Sequence, residues 1–241
     1  GEYFKAKSNL TAFQSANQPV FFFADNKNVA KILKHSPAER HPVIPSADTP
    51  LKNLDLAAAV CRYLKISEIV IQETNKKFKG LEHRLELVRQ IKTKTGTIKF
   101  INDSAATNPG STIAAIRAQE EATILLLGGK DKNLSYAELA KAINKSKVCK
   151  IILYGENRQK INSALTQKNI AQKIVSVKNL KSAFSAALKD APKILAINPK
   201  PTELCILFSP ASASFDQFNN AKERGQYFKK LVRALNHKHL E

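Results

Sequence analysis

Apolar residues at Tyr3, Ala6, Leu10 and Phe13 recur every three or four positions, the spacing of one helix face, and Pro19 stops the pattern. The run Val20-Phe21-Phe22-Phe23 is continuously apolar and predicts a short buried strand. A helix is expected over 26–34. Between residues 35 and 50 stand Pro37, Pro42, Pro45 and Pro50, which predict an irregular connection. Helices over 53–65 and 67–78 complete this half before Lys79-Gly80.

The second half changes rhythm. Strands are predicted at 84–88 and 97–101, joined by a turn at Lys94-Thr95-Gly96. Helix and strand then alternate: helix 109–120, strand 123–127, helix 135–145, strand 149–154, helix 157–166, strand 174–177, helix 179–190, strand 203–208 and helix 217–235. Residues 194–197 read as a further short strand. This alternation predicts an α/β fold with an open, mostly parallel, Rossmann-like sheet covered by helices on both faces. Two domains are expected, over 1–82 and 83–241.

Composition narrows the functional classes. The chain has 241 residues, and 39 Lys+Arg against 20 Asp+Glu give a net charge of +19. Such a balance favours anionic partners, nucleic acid first among them. Yet the lysines are scattered and no aromatic residues interleave with them. Specific nucleic-acid recognition is therefore not expected, and any binding should be weak and steeply salt-dependent. Small anionic substrates fit better. Cys61, Cys149 and Cys205 are odd in number and set among apolar neighbours, which predicts buried, reduced thiols. No apolar run approaches a membrane span and Gly1-Glu2-Tyr3-Phe4 shows no leader pattern, so a cytoplasmic protein without membrane contact is expected.

Open α/β sheets gather their strand-to-helix loops along the carboxyl edge of the strands, where ligands bind. After strand 97–101 comes Asn102-Asp103-Ser104-Ala105-Ala106-Thr107-Asn108-Pro109, with Asn108 a natural N-cap and Pro109 a natural first helical residue. After strand 123–127 comes Gly128-Gly129-Lys130-Asp131-Lys132. After strand 203–208 comes Ser209-Pro210-Ala211-Ser212-Ala213-Ser214-Phe215-Asp216. Hydroxyls, cations and a carboxylate thus converge on one edge, which suits a small carboxylate or phosphate ligand. No Gly-x-x-x-x-Gly-Lys-Ser/Thr loop, nucleophile elbow, metal-ligand spacing or Ser/His/Asp set occurs. Among the histidines only His83, beside Arg84 at the junction of the halves, has a suggestive position; His35 and His41 sit in the proline-rich connection, and His237 and His239 in the tail.

Several of these strings also recur in order in a known family. Gly80-Leu81-Glu82-His83-Arg84, Ile101 to Asn108, Leu127-Gly128-Gly129 with Lys132, the string from Ser209 to Phe218, and Glu223-Arg224-Gly225 together closely resemble the C-terminal domain of the Mur ligases, and among them the D-glutamate-adding members. The likeness covers about residues 80–236; the Ser-Pro-Ala-x-Ala-Ser-x-Asp-Gln-Phe string is its most specific part. The first half resembles, more loosely, the end of the family's central ATP-binding domain, without its P-loop.

The resemblance implies an ATP-dependent ligase of peptidoglycan precursor synthesis, joining D-glutamate to UDP-N-acetylmuramoyl-L-alanine with ATP and Mg²⁺, and serving cell-wall growth and division as a monomer. It implies that Asn53, His83, Arg84 and Asp103 contact ATP, and that Thr107, Lys132 and Ser214 hold D-glutamate. Lys7 would be the family's carbamylated lysine, which supports the Mg²⁺ ion. Three departures stand out. Thr49 and Pro50 replace a His-Asn pair before Asn53, Ala105 replaces a lysine, and Ala221 replaces an aromatic residue. This chain by itself is expected to be inactive. A non-catalytic binding module and a related amide ligase acting on a folyl or cyanophycin-type substrate are the alternatives.

Overall fold

The computed structural model describes residues 2–46, 52–167, 174–197 and 202–236. It divides into two compact units, Gly1–Lys79 and Gly80–Glu241.

The first unit contains helix α1 (Glu2–Ala12), strand β1 (Pro19–Phe23), helix α2 (Lys27–Ile32) running into a single 3-10 turn (Leu33–His35), strand β2 (Glu39–Val43), and helices α3 (Lys52–Tyr63) and α4 (Glu68–Lys77). The Asn26 side chain accepts hydrogen bonds from the N–H groups of Asn28 and Val29, which fixes the start of α2. The expected irregular connection over 35–50 needs correction. Its middle is β2, parallel to β1 from Pro19↔Glu39 to Phe23↔Val43. Proline lacks a donor N–H, but Pro42 stands opposite Phe22 in a two-stranded sheet, where each strand has one free side. His41 stacks on Phe21 at 4.8 Å and meets Tyr63 edge-on at 5.1 Å, a small aromatic cluster over the strands. The apolar periodicity of α1 does form a helix, yet Leu10 and Phe13 remain 72% and 91% exposed. Thr49 and Pro50 lie outside the described residues, as do His237 and His239.

The second unit carries strands β3 (Glu86–Lys92), β4 (Gly96–Asn102), β5 (Ala122–Gly128), β6 (Val148–Tyr154), β7 (Ile174–Ser176) and β8 (Thr202–Phe208). Helices α5 (Pro109–Arg117), α6 (Ala137–Asn144), α7 (Arg158–Thr166), α8 (Leu180–Ile197) and α9 (Ala221–Arg233) connect or follow them. The sheet order is β3-β4-β8-β5-β6-β7, with only β3 antiparallel to its neighbour.

The continuous apolar strands are buried on both sides, which is why they do not alternate with polar residues. Ile124, Leu126, Ile152, Tyr154, Leu204, Ile206 and Phe208 face one layer, covered by α8 and α9 through Phe184, Ala187, Phe228 and Val232. Their neighbours Leu125, Leu127, Ile151, Leu153, Cys205 and Leu207 face the other, covered by α5, α6 and α7.

Two expectations are corrected here. The short strand at 194–197 is instead the end of α8, which continues through Pro192. Phe184, Ala187, Ala191 and Leu195 keep one helical stripe buried across the proline, and packing outweighs the lost backbone bond. The strand expected at 84–88 begins only at Glu86, because His83 and Leu85 both take positive φ (64° and 46°). Of the three thiols, all free, only Cys205 is fully buried; Cys61 and Cys149 are half-buried. No helix among the described residues is long and apolar enough to cross a membrane.

Candidate functional site

The carboxyl ends of β4, β8, β5 and β6 lie side by side, and the loops leaving them are laced by hydrogen bonds. The Asp103 N–H donates to Phe208 O (2.8 Å), the Gly128 N–H to Pro210 O (3.0 Å) and the Lys130 N–H to Ala213 O (2.8 Å). Parallel strands in register put these three loops on one edge, as the order of the elements predicted. Asn108 caps α5 by accepting from the Ser111 N–H, and Pro109 occupies the first turn.

Asp103 is the acid of this edge. One carboxylate oxygen accepts from the Leu85 N–H (3.3 Å) and the other from Ser209 Oγ (2.7 Å), which lies 2.9 Å from Thr112 Oγ1. Burial pushes its pKa from the ordinary 3.8 up to about 6, against the pull of these bonds and of the Arg84 charge. Arg84 is exposed beside it.

His83 is buried instead of presented to solvent. Its Nδ1 lies 2.9 Å from Asn102 Nδ2, its carbonyl accepts from the Ala105 N–H, and its Nε2 has no hydrogen-bond partner. Desolvation lowers its pKa in spite of Glu82 and Glu86 nearby. Both those carboxylates accept from Lys229 Nζ, at 2.7 and 2.5 Å. Glu82, His83 and Glu86 form a cluster with metal-ligand chemistry, but the Lys229 ammonium already lies across the carboxylates.

Beneath the Gly129 turn lies a second polar group. Asn157 Oδ1 accepts from the Gly129 N–H (3.0 Å), while its Nδ2 donates to Tyr136 Oη and Ser212 Oγ, both at 2.7 Å. The turn is pressed so closely on the serine loop that a Cβ on Gly129 would sit 2.1 Å from Ala213 O. Above it, Lys130 pairs with Glu156 (2.6 Å) and Asp131 with Lys160 (3.0 Å). Lys132 is exposed, and no carboxylate pairs with it among the described residues. Thr107 is half-buried and Ser214 is 2% exposed.

Residues 83–197 match the Mur ligase glutamate ligase domain family. The chain belongs to the Mur ligase family. It is 35% identical over 216 residues to UDP-N-acetylmuramoylalanine–D-glutamate ligase of Natranaerobius thermophilus, covering 89% of this chain and 44% of that protein. The same enzyme of Caldanaerobacter subterraneus subsp. tengcongensis is 38% identical over 218 residues, with 89% and 43% covered. The chain therefore spans less than half the length of these relatives. Among solved structures, the folylpolyglutamate synthase of Mycobacterium tuberculosis superposes with TM-score 0.64 at 10% identity, over 95% of this chain and 60% of that one. A D-alanyl-D-alanyl-adding Mur ligase of Acinetobacter baumannii gives 0.62 at 15% identity, over 95% and 54%.

Arg84, Asp103, Thr107, Lys132 and Ser214 are all carried by the second unit, on or next to the loops of one edge. Lys7 lies on α1 and Asn53 in the first turn of α3, both exposed and both in the first unit. Neither Asn157 nor Arg224 stands out in the sequence, apart from the place of Arg224 in the shared Glu223-Arg224-Gly225 string. Polar residues with buried side chains give no periodic signal of their own; the one available hint is Glu223-Arg224-Gly225 within the helix predicted over 217–235.

Proposed function

We propose that the chain supplies the amino-acid- and nucleotide-handling part of an ATP-dependent amide ligase that adds D-glutamate to UDP-N-acetylmuramoyl-L-alanine. The observation that carries the reading is the laced edge itself. There, the loops bearing Thr107, Lys132 and Ser214 are held together beside the buried Asp103. Two hydroxyls and an ammonium suit a small dicarboxylate, since hydrogen bonds to a charged acceptor are about twice as strong as neutral ones.

Asp103 and Arg84 suit a nucleotide: a fixed carboxylate to accept from ribose hydroxyls, and an exposed guanidinium for phosphate. In this proposal residues 1–82 belong to the central ATP-handling domain and 83–241 to the C-terminal domain, with His83 setting the Arg84 loop. Lys7, carbamylated, would support Mg²⁺, which prefers oxygen ligands, and Asn53 would meet the adenine. ATP would supply the activation: its γ-phosphoryl group passes to the acceptor carboxylate with release of ADP, and the D-glutamate amine then displaces inorganic phosphate, losing a proton, to form the amide. The protein's part is to align three anionic reactants and offset their charge.

Titration of the isotope-labelled chain with D-glutamate tests this. Amide shifts at Thr107, Lys132 and Ser214 are expected, with about millimolar affinity. Lys132→Ala should weaken binding about tenfold, a typical effect of losing one charged hydrogen bond. L-Glutamate should bind less well. Absence of shifts at all three loops at tens of millimolar ligand overturns the assignment.

A second reading, a binding module without turnover, is favoured by Ala105. Its methyl group brings no cation to the edge, and Lys130, a lysine of the neighbouring loop, is paired with Glu156. The full-length protein decides between them by its ADP release in the presence of all three substrates.

A further inference from the structure

Arg224 is the largest fully buried side chain among the described residues, at 0% exposure. Its Nε donates to Ser104 Oγ (3.1 Å) and one terminal nitrogen donates to Ser104 O (2.9 Å). The other terminal nitrogen donates to Ser212 O (3.0 Å). Ser104 Oγ in turn donates to Ala221 O (2.7 Å), at the head of the same helix. The guanidinium carbon lies 5.9 Å from the centre of the Phe208 ring. One planar fork therefore spans the loop after β4 and the loop after β8, from below.

No carboxylate lies within ion-pair distance of Arg224 among the described residues. An arginine stays charged in a protein, and a buried, unpaired charge is costly unless something offsets it. Burial draws its pKa down, while Tyr154 and Asp216 pull it back. Carbonyl oxygens satisfy its N–H groups but bring only partial charges. The loops it holds, at Ser104 and Ser212, belong to the laced edge. The helix carries a companion feature: a Cβ on Gly225 would fall 2.3 Å from His83 Nδ1, so the next residue is cut away to seat the His83 loop.

We infer that Arg224 is a positioning residue: it locks the Ser104 and Ser212–Ser214 loops into one arrangement, and its unpaired charge is completed by the carboxylates of a small dicarboxylate ligand bound above them. This rests on the proposed function for the nature of the ligand, but not for the locking of the loops.

The test compares the chain with Arg224→Lys, which keeps the charge and loses the fork, and Arg224→Met, which loses both. Lys99→Ala, which breaks the ion pairs to Glu121 and Glu203 away from this edge, is the control for stability loss. Amide hydrogen exchange reads the loops, and D-glutamate titration reads the site. Both Arg224 variants should exchange at least tenfold faster at Ser104 and at residues 212–214, with the β5 and β6 amides unchanged. D-Glutamate affinity should fall at least tenfold in Arg224→Lys and further in Arg224→Met, but not in Lys99→Ala. Should the Arg224 variants fail to fold, Ser104→Ala removes the Nε contact and the Ser104–Ala221 bond, keeps both carbonyl contacts of Arg224, and should show the same two effects in milder form. Unchanged exchange at both loops, or faster exchange with wild-type affinity, overturns the inference. If the wild-type chain shows no D-glutamate shifts, the proposed function fails instead, and the exchange data still decide whether Arg224 locks the loops.

Discussion

The two units use apolar residues in opposite ways. In the second, whole strands such as Leu125–Leu127 and Ile151–Leu153 are fully buried between two helical layers. In the first, few side chains are buried to that degree, and Leu10, Phe13, Ile44 and Ile69 are each more than 70% exposed. A two-stranded sheet has too little area to cover five helical segments, whereas a six-stranded one gives every helix a face to pack on. Secondary structure can therefore form from local pattern in both units, but only the second converts it into a dense core. A precisely held polar edge needs that core beneath it.

The sharpest test is exchange. Amides of β5 and β6 should exchange about a hundredfold or more slowly than those of β1 and β2, because dense cores open only with global unfolding. Equal protection would erase the contrast. Next in size, Leu126→Ala should cost about 3 kcal/mol in urea denaturation. Phe13→Ala should stay within about 0.5 kcal/mol, since its ring is already in water.

A pH series follows. The folded Asp103 pKa, about 6, exceeds its ordinary 3.8. The folded state therefore binds this proton more tightly, and the associated stability is full below about pH 4 and lost as pH rises through 6. The difference is at most about 3 kcal/mol. Asp103→Asn should flatten this part of the profile, and the change should appear in the second unit's amides. The smallest effect is expected at the exposed Arg62–Glu68 pair of the first unit. Arg62→Ala should leave the melting temperature close to wild type, as solvent-exposed pairs contribute little.

Much of the second unit was legible because continuous apolar runs and period-3.6 patterns there coincide with real burial. Its alternating elements predicted the parallel sheet, and the sheet predicted that the loops at 102–109, 128–132 and 209–216 share an edge. Legibility failed where backbone chemistry and packing disagree. Pro42 and the charged Glu39 and Arg40 disguised β2, and Pro192 made α8 look finished. The Arg84 loop begins in a conformation that His83 and Leu85 rarely adopt, which no hydrophobic pattern encodes. Exposed site candidates such as Lys132 could be picked out by residue type. The residues that hold them, Arg224 and Asn157, act through carbonyls and amides contributed by distant segments.

The Gly129 turn also bears on how this protein could be redesigned. With Ala213 O and the Arg224 guanidinium 2.1 and 3.1 Å from where its Cβ would be, the position admits no side chain. Lys130, Lys132, Asn133 and Phe215 around it are exposed, so changes there meet no such steric limit. A library aimed at a new amino-acid preference should randomise those rim positions and leave the glycine fixed. On the proposed function, selectivity at this edge would be retuned by changing what lines the opening, not by widening it.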